Sequence, residues 1–116
     1  MSLSDGSGLS RADFAAPREV VDLLRGMMRK SVFDTLYQSL PIPGVDGTLA
    51  NRMKGTAASK NCHAKTGTLS NVSSLSGICT TAGGHQVAFS ILQNQVVPFS
   101  AHTVQDKIVT AIARLP

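Results

Sequence analysis

The sequence predicts an α+β domain: an antiparallel β-meander of about three strands, with N-terminal helices and a C-terminal helix packed on the sheet. Three observations support this fold class. Apolar residues recur at helical spacing near the start and at the end of the chain. Between them, from about Lys60, the pattern changes to that of strands, and Gly83-Gly84 marks a tight hairpin. This order of elements is typical of α+β folds.

Two N-terminal helices are expected before the sheet. Pro17 suits the first turn of the first helix. The apolar residues that follow at helical spacing are Val20, Leu24, Met27 and Met28. A second short helix is predicted over Val32 to Leu40, before "PIPG". The segment "VDGTLANRMKGT" predicts a turn followed by about two helical turns.

The strands of the meander are predicted at about 60–68, 73–82 and 86–94, joined by "TLSNV" and "AGGH". The chain then ends in a helix. Thr103 and Asp106 resemble a capping pair at its start. Its predicted apolar stripe consists of Val104, Ile108, Ala111, Ile112 and Leu115.

Composition excludes several classes of protein. A chain of 116 residues with 42% hydrophobic residues fits one globular domain and is not typical of disorder. The net charge of +4 comes from scattered basic residues, so we expect no nucleic-acid partner. No apolar run is long enough to predict a transmembrane segment, and the polar start does not resemble a signal peptide.

Cys62 and Cys79 permit one disulfide, and the sequence leaves their pairing open. With His63 and His85 they would make a candidate zinc site, but the spacing matches no standard ligand framework. We therefore interpret them as half-buried strand cysteines and predict neither a metal nor a cofactor.

Lys65-Thr66-Gly67 is the sequence feature that indicates chemistry. Glycine inside a strand often marks close approach of another molecule. Lys-Thr-Gly is also one of three elements of the serine acyl-transferases that bind penicillin, beside Ser-x-x-Lys and Ser-x-Asn. In that setting a hydroxyl and an ammonium at a strand edge hold the substrate's carboxylate, while backbone groups pair with it as an added strand.

Four segments in close succession make this motif specific. In order they are "DGSGLSR", "DGTLANRMKGT", "AKTGTLSNVSSLSGICTTAGG" and "VAFSILQN". Together they resemble the C-terminal part of the class C penicillin-binding proteins, the D-alanyl-D-alanine carboxypeptidases/endopeptidases. The resemblance runs from about Asp5 to the final helix. It implies the penicillin-binding transpeptidase/β-lactamase-like fold, with a five-stranded antiparallel sheet whose Lys-Thr-Gly strand borders the active-site cleft.

The resemblance also implies roles for five residues. Lys65 carries over as the catalytic lysine of this strand, and Thr66 and Gly67 as substrate-binding residues. Thr68 would contribute backbone groups to the substrate and to the acyl oxyanion. Arg11, which closes "DGSGLSR", would bind an acidic group on the peptidoglycan stem, or would simply be a surface arginine.

The nucleophile of the family has no counterpart in the chain. No serine is followed three residues later by lysine. The Ser-x-Asn match Ser59-Lys60-Asn61 stands six residues before Lys65, about 20 Å away in an extended chain, too far for a shared reaction centre. We therefore expect residues 1–3 to be an added leader and residues 4–116 to be the C-terminal part of a single transpeptidase-like domain.

On this interpretation the intact protein is a periplasmic or extracytoplasmic serine-type D-Ala-D-Ala carboxypeptidase/endopeptidase. It would act on peptidoglycan stem peptides ending in D-Ala-D-Ala and would bind β-lactams, whereas this piece alone would be inactive and would self-associate. Two alternatives stay open: a β-lactamase of the same fold, and a non-catalytic peptide-binding module that has lost its nucleophile.

Overall fold

A computed structural model describes residues 1–4, 6–7, 15–69 and 71–116. Its helices are α1 (Pro17–Met27), α2 (Phe33–Ser39) and α3 (Pro98–Ala113), with a short 3-10 turn at Gly47–Leu49. The strands are β1 (Cys62–Leu69), β2 (Val72–Thr80) and β3 (Gln86–Asn94). They form an antiparallel sheet in the order β1-β2-β3. The predicted α+β class is therefore confirmed.

Helix α1 begins at Pro17, as predicted, and packs on β3 and β2. Its apolar residues Val20, Leu24 and Met27 are half-buried. At its start the Glu19 carboxylate pairs with the amino terminus and accepts a hydrogen bond from the Ala16 amide at 2.8 Å. These two contacts, the amino terminus first, hold the pKa of Glu19 below its usual value.

The segment "VDGTLANRMKGT" forms less helix than predicted. Only the single 3-10 turn at Gly47–Leu49 is present. The reason lies in three left-handed backbone conformations, at Gly47 (φ 56°), Met53 (φ 58°) and Gly55 (φ 71°), which an α-helix cannot contain. The chain instead forms a loop that buries Leu49 and Met53 in the core.

The three strands of the sheet lie close to their predicted positions. At "AGGH", Gly84 has a φ of 84° and donates a hydrogen bond to the Thr81 carbonyl at 2.9 Å, which closes the turn between β2 and β3. Strand β2 is covered on both faces, because its neighbouring residues Ile78 and Cys79 are both fully buried.

Cys62 and Cys79 are directly opposite in the register of β1 and β2 and form a disulfide. Both are fully buried, so the prediction of half-buried cysteines is wrong. Sulfur atoms bonded to each other are not zinc-binding thiolates, which removes the zinc alternative. A cross-link over a sequence separation of 17 residues restricts the unfolded chain and contributes about 3 kcal/mol to the free energy of unfolding.

Helix α3 presents a different face to the sheet from the one predicted. Its buried residues are Ala101, Gln105, Val109 and Ala113. Val104 and Ile108 of the predicted stripe are 47% and 40% exposed. The small side chains of Ala101 and Ala113 let the helix lie close to the sheet. Gln105 is buried with its amide nitrogen 2.9 Å from both Ser73 Oγ and Gln93 Oε1, which satisfies that donor group.

The predicted capping pair is also wrong. Because α3 begins at Pro98, Thr103 lies inside the helix, where its hydroxyl approaches the Phe99 carbonyl at 3.5 Å. The Asp106 carboxylate binds Arg52 instead. In the part of the chain that the structure covers, no helix has the length and apolar character to span a membrane.

Candidate active-site strand

Strand β1, which carries Lys65-Thr66-Gly67, lies at one edge of the sheet. The amide of Cys62 donates to the Ala58 carbonyl at 3.2 Å and that of Ala64 to the Pro41 carbonyl at 2.9 Å. Both partners lie outside the sheet, so these alternate residues point their backbone groups away from β2. The alternation of an antiparallel strand directs the backbone groups of Thr66 and Thr68 to the same outer edge.

Lys65 is exposed on the face of the sheet that it shares with His63. There α2 covers the start of β1: the rings of Tyr37 and His63 are 3.7 Å apart, and His63 Nδ1 is 2.7 Å from the Tyr37 carbonyl oxygen. Two residues further along the strand, at Lys65, α2 no longer covers β1. The Lys65 ammonium donates to the Thr66 carbonyl oxygen at 2.5 Å and is accessible from solvent.

The Thr66 side chain projects from the opposite face, where the loop after α2 returns to the strand. Its Oγ1 lies 2.9 Å from Oγ1 of Thr48. Sequence reasoning missed Thr48. The one sequence feature that could have drawn attention to Thr48 is its position in the "DGTLANRMKGT" segment, directly after Gly47. In the structure Gly47 takes a left-handed backbone conformation.

Gly67 leaves space for Ser74, its partner on the neighbouring strand β2. A Cβ built on it would lie 2.5 Å from Ser74 Oγ on β2. The Ser74 hydroxyl donates to the Gly67 carbonyl oxygen at 3.4 Å, so a methyl group would occupy the space that this hydroxyl fills. Thr68, the next residue, is exposed. The four residues from Lys65 to Thr68 therefore offer an ammonium, hydroxyls and backbone groups along one accessible edge.

Arg52 ties the loop that carries Thr48 to helix α3. Its Nε and Nη2 lie 3.0 and 2.6 Å from Asp106 Oδ1, and Nη2 is also 3.0 Å from Gln105 Oε1. The Arg52 side chain is 12% exposed. Burial, and then the Arg52 charge, lower the pKa of the nearby His102, which disfavours a second positive charge there. Sequence reasoning also missed Arg52.

Two further positions were considered in the sequence analysis. Arg11 lies outside the described residues. Ser59 faces the turn at Gly44, since a Cβ built on Gly44 would lie 2.6 Å from Ser59 Oγ. That Ser59-Lys60-Asn61 is not an active-site element stays a prediction.

An α+β fold with a Lys-Thr-Gly edge strand is also a feature of the serine acyl-transferases that bind penicillin. The sequence profile of the D-Ala-D-Ala carboxypeptidase 3 (S13) family matches residues 1–115. The chain belongs to that family. This confirms the family resemblance that its motifs indicated.

The names of two relatives agree with the family to which the chain belongs. The chain is 45% identical over 116 residues to the D-alanyl-D-alanine carboxypeptidase of Actinomadura sp. (strain R39), a match that covers 96% of this chain and 21% of that protein. It is 40% identical over 89 residues to the D-alanyl-D-alanine carboxypeptidase DacB of Haemophilus influenzae, covering 75% of this chain and 19% of that protein. The chain thus spans about a fifth of the length of these relatives.

The structure is similar to a crystal structure of penicillin binding protein 4 (dacB) from Haemophilus influenzae. The TM-score is 0.87 with 32% sequence identity, and the match covers 98% of this chain and 28% of that chain. The likeness therefore extends over nearly all of this chain and about a quarter of the known structure.

Proposed function

We propose that this chain forms the Lys-Thr-Gly wall of the active site of a peptidoglycan D-Ala-D-Ala carboxypeptidase/endopeptidase. The observation that carries the proposal is the accessible outer edge of β1. The Pro41 carbonyl pairs with this edge at Ala64, and beyond that point Thr66 and Thr68 direct backbone groups outward. A stem peptide ending in D-Ala-D-Ala can pair there as an added strand.

Each residue of the edge has a chemical task in this proposal. The Lys65 ammonium and the Thr66 hydroxyl bind the terminal carboxylate of the substrate by charge-assisted hydrogen bonds. Gly67 keeps a side chain out of this position, where a Cβ would displace the Ser74 hydroxyl of β2. The Thr68 amide donates to the oxyanion that forms when the carbonyl is attacked.

The attacking serine would come from outside this chain, which has no serine followed by lysine at the third position. Its oxygen forms a bond to the carbonyl carbon of the D-Ala-D-Ala bond, the C–N bond breaks, and D-alanine leaves with a proton on its nitrogen. Water then hydrolyses the resulting ester and frees the serine. A β-lactam would acylate the same serine and hold it as an ester.

Arg11 keeps its proposed role as the partner of an acidic group on the stem peptide. The role derives from its position in "DGSGLSR". Arg11→Ala in the full-length protein should then slow hydrolysis only of substrates whose side chain ends in a free carboxylate, since a neutral analogue has no partner for the guanidinium. Comparing kcat/KM for the acidic and neutral substrates measures this, and equal losses on both would point to a structural role for Arg11.

A periplasmic or extracytoplasmic location follows from the proposed substrate, because peptidoglycan lies outside the cytoplasm. The buried disulfide between Cys62 and Cys79 supports it, since disulfides persist mainly in oxidising compartments. Membership in the S13 family favours the carboxypeptidase over a β-lactamase of the same fold. Labelling with a fluorescent penicillin distinguishes the enzyme from the non-catalytic binding module.

Labelling with a fluorescent penicillin tests the proposal. The 116-residue chain should form no adduct that survives denaturation, because it lacks the family's nucleophile. The full-length protein should be labelled and should release D-alanine from a peptide ending in D-Ala-D-Ala. A labelled band from the chain alone would contradict the assignment of the nucleophile to other residues, and an unlabelled full-length protein would favour the binding module.

We further propose that the chain self-associates when it is separated from the rest of the domain. Large apolar side chains support this: Phe99 is 81% exposed, Val97 68% and Leu23 58%. Covering a few hundred Å² of such surface is worth several kcal/mol at about 25 cal/mol per Å². Light scattering coupled to size exclusion at micromolar concentration should give a mass above that of one chain, and a monomer mass of 12.2 kDa would contradict the proposal.

A further inference from the structure

We propose that Thr48 is a positioning residue that sets the direction of the Thr66 hydroxyl for the carboxylate of the substrate. This inference rests on the function proposed above and adds to it a residue outside the Lys-Thr-Gly strand. Its basis is the 2.9 Å contact between the two Oγ1 atoms, which joins positions 18 residues apart.

The contact couples the two hydroxyl protons. Each threonine has one proton to donate, and a hydroxyl oxygen can accept as well. When Thr48 donates to Thr66, the Thr66 proton stays available for a third group. When Thr66 donates to Thr48, that proton is already used. A carboxylate can only accept, so its binding beside Thr66 requires the first arrangement.

The loop holds the Thr48 backbone in place by contacts on both sides of it. The Asp46 carboxylate accepts from the Ile42 amide at 2.8 Å, and the Gly44 amide donates to the Leu49 carbonyl at 2.9 Å. Leu49 is fully buried in the core. Gly47 adopts its left-handed conformation against Pro41, whose side chain would lie 3.0 Å from an added Cβ.

If Thr48 had a purely structural role, removing its hydroxyl would lower the stability of the protein. Both hydroxyls lie on exposed or half-exposed residues, where a neutral hydrogen bond competes with water and adds little net free energy. Removing the Thr48 hydroxyl should therefore change folding very little. Its effect should appear where the Thr66 proton is needed, at a ligand with a free carboxylate.

Acylation of the full-length protein by benzylpenicillin and by its methyl ester tests the inference. Thr48→Val should slow acylation by the free acid between about twofold and tenfold, the range for one net hydrogen bond. Acylation by the ester should stay within a factor of about two, because the ester offers no carboxylate charge. Thr48→Ser, which keeps the hydroxyl, should restore the rate. Thr103→Val, at an exposed position inside α3, is the matched control and should leave both rates unchanged.

A double-mutant cycle with Thr66→Val separates action through Thr66 from any other effect. If Thr48 acts through Thr66, adding Thr48→Val to Thr66→Val should cost nothing more. Equal losses for acid and ester, or fully additive losses in the cycle, would overturn the inference even though the wild type is acylated. A wild-type protein that is not acylated at all would instead remove the proposed function, and this inference with it. Unfolding temperatures of all variants should match that of the wild type, and a large drop for Thr48→Val would assign the residue a structural role.

Discussion

Replacing Lys65 with alanine in the full-length protein should slow acylation by penicillin about 100-fold to 1000-fold, the usual scale for losing one preorganised electrostatic group. The ammonium is exposed, and it donates to the Thr66 carbonyl oxygen within its own strand. Its charge therefore faces the proposed substrate instead of being neutralised in the core. Stopped-flow or quench measurement of the second-order acylation rate constant gives the result directly.

The stability of the Lys65→Ala variant should remain close to that of the wild type, since truncating an exposed strand lysine removes little packing. Lys107→Ala, at an exposed position on α3, removes the same charge at a distance from the strand and should leave the rate unchanged. If Lys65→Ala were acylated at nearly the wild-type rate, Lys65 would be an ordinary strand lysine and the role taken from the family resemblance would be wrong.

Elements with local signals were predictable from the sequence. The start of α1 follows from Pro17 and the apolar spacing after it, and the β2–β3 turn follows from Gly83-Gly84. In each case the residues that determine the structure are within a few positions of it.

Helix α3 shows where local signals fail. The chain offers two faces there, one rich in large apolar residues such as Val104 and Ile108, and one with small residues and a glutamine. Hydrophobic periodicity favours the first face, but the sheet packs on the second. On that face the Gln105 amide is bound by Ser73 and Gln93, which are 32 and 12 residues away, and hydrophobic periodicity does not indicate such partners.

The candidate site shows the same contrast between residues that have a local sequence signal and residues that have none. Lys65, Thr66 and Gly67 were proposed as site residues from a contiguous motif whose chemistry requires them in one strand. Thr48 and Arg52 were not identified, since their partners Thr66 and Asp106 are 18 and 54 residues away. Nothing in the spacing of a threonine and an arginine within a loop indicates which distant groups they contact.

Gly77→Ala should lower the free energy of unfolding by about 3 kcal/mol or more, a large effect for one methyl group. Gly77 lies opposite Ala64 in the register of β1 and β2. An added Cβ would lie 2.6 Å from Ala64 Cα and 2.7 Å from its Cβ, and closer still to the His63 carbonyl oxygen. These are atoms at or next to the backbone of β1, so no side-chain rotation relieves the contact.

The strands cannot simply move apart, because the Cys62–Cys79 disulfide joins them two residues away. The strain must therefore bend β1 at the position just before Lys65, and acylation of the full-length variant should fall as well. Urea unfolding followed by circular dichroism, at one chain concentration for the wild type and all variants, compares their stability. Gly26→Ala is the matched control: its Cβ meets nothing within 4 Å inside α1, so it should raise stability by about 0.5–1 kcal/mol.

The stability of Gly67→Ala should lie between those of the other two variants, since its methyl group meets the Ser74 hydroxyl, which can rotate away. A Gly77→Ala chain as stable as the wild type would mean that β1 and β2 are further apart at Ala64 than the structure places them, and the flat, close pairing that presents Lys65 would then need another cause.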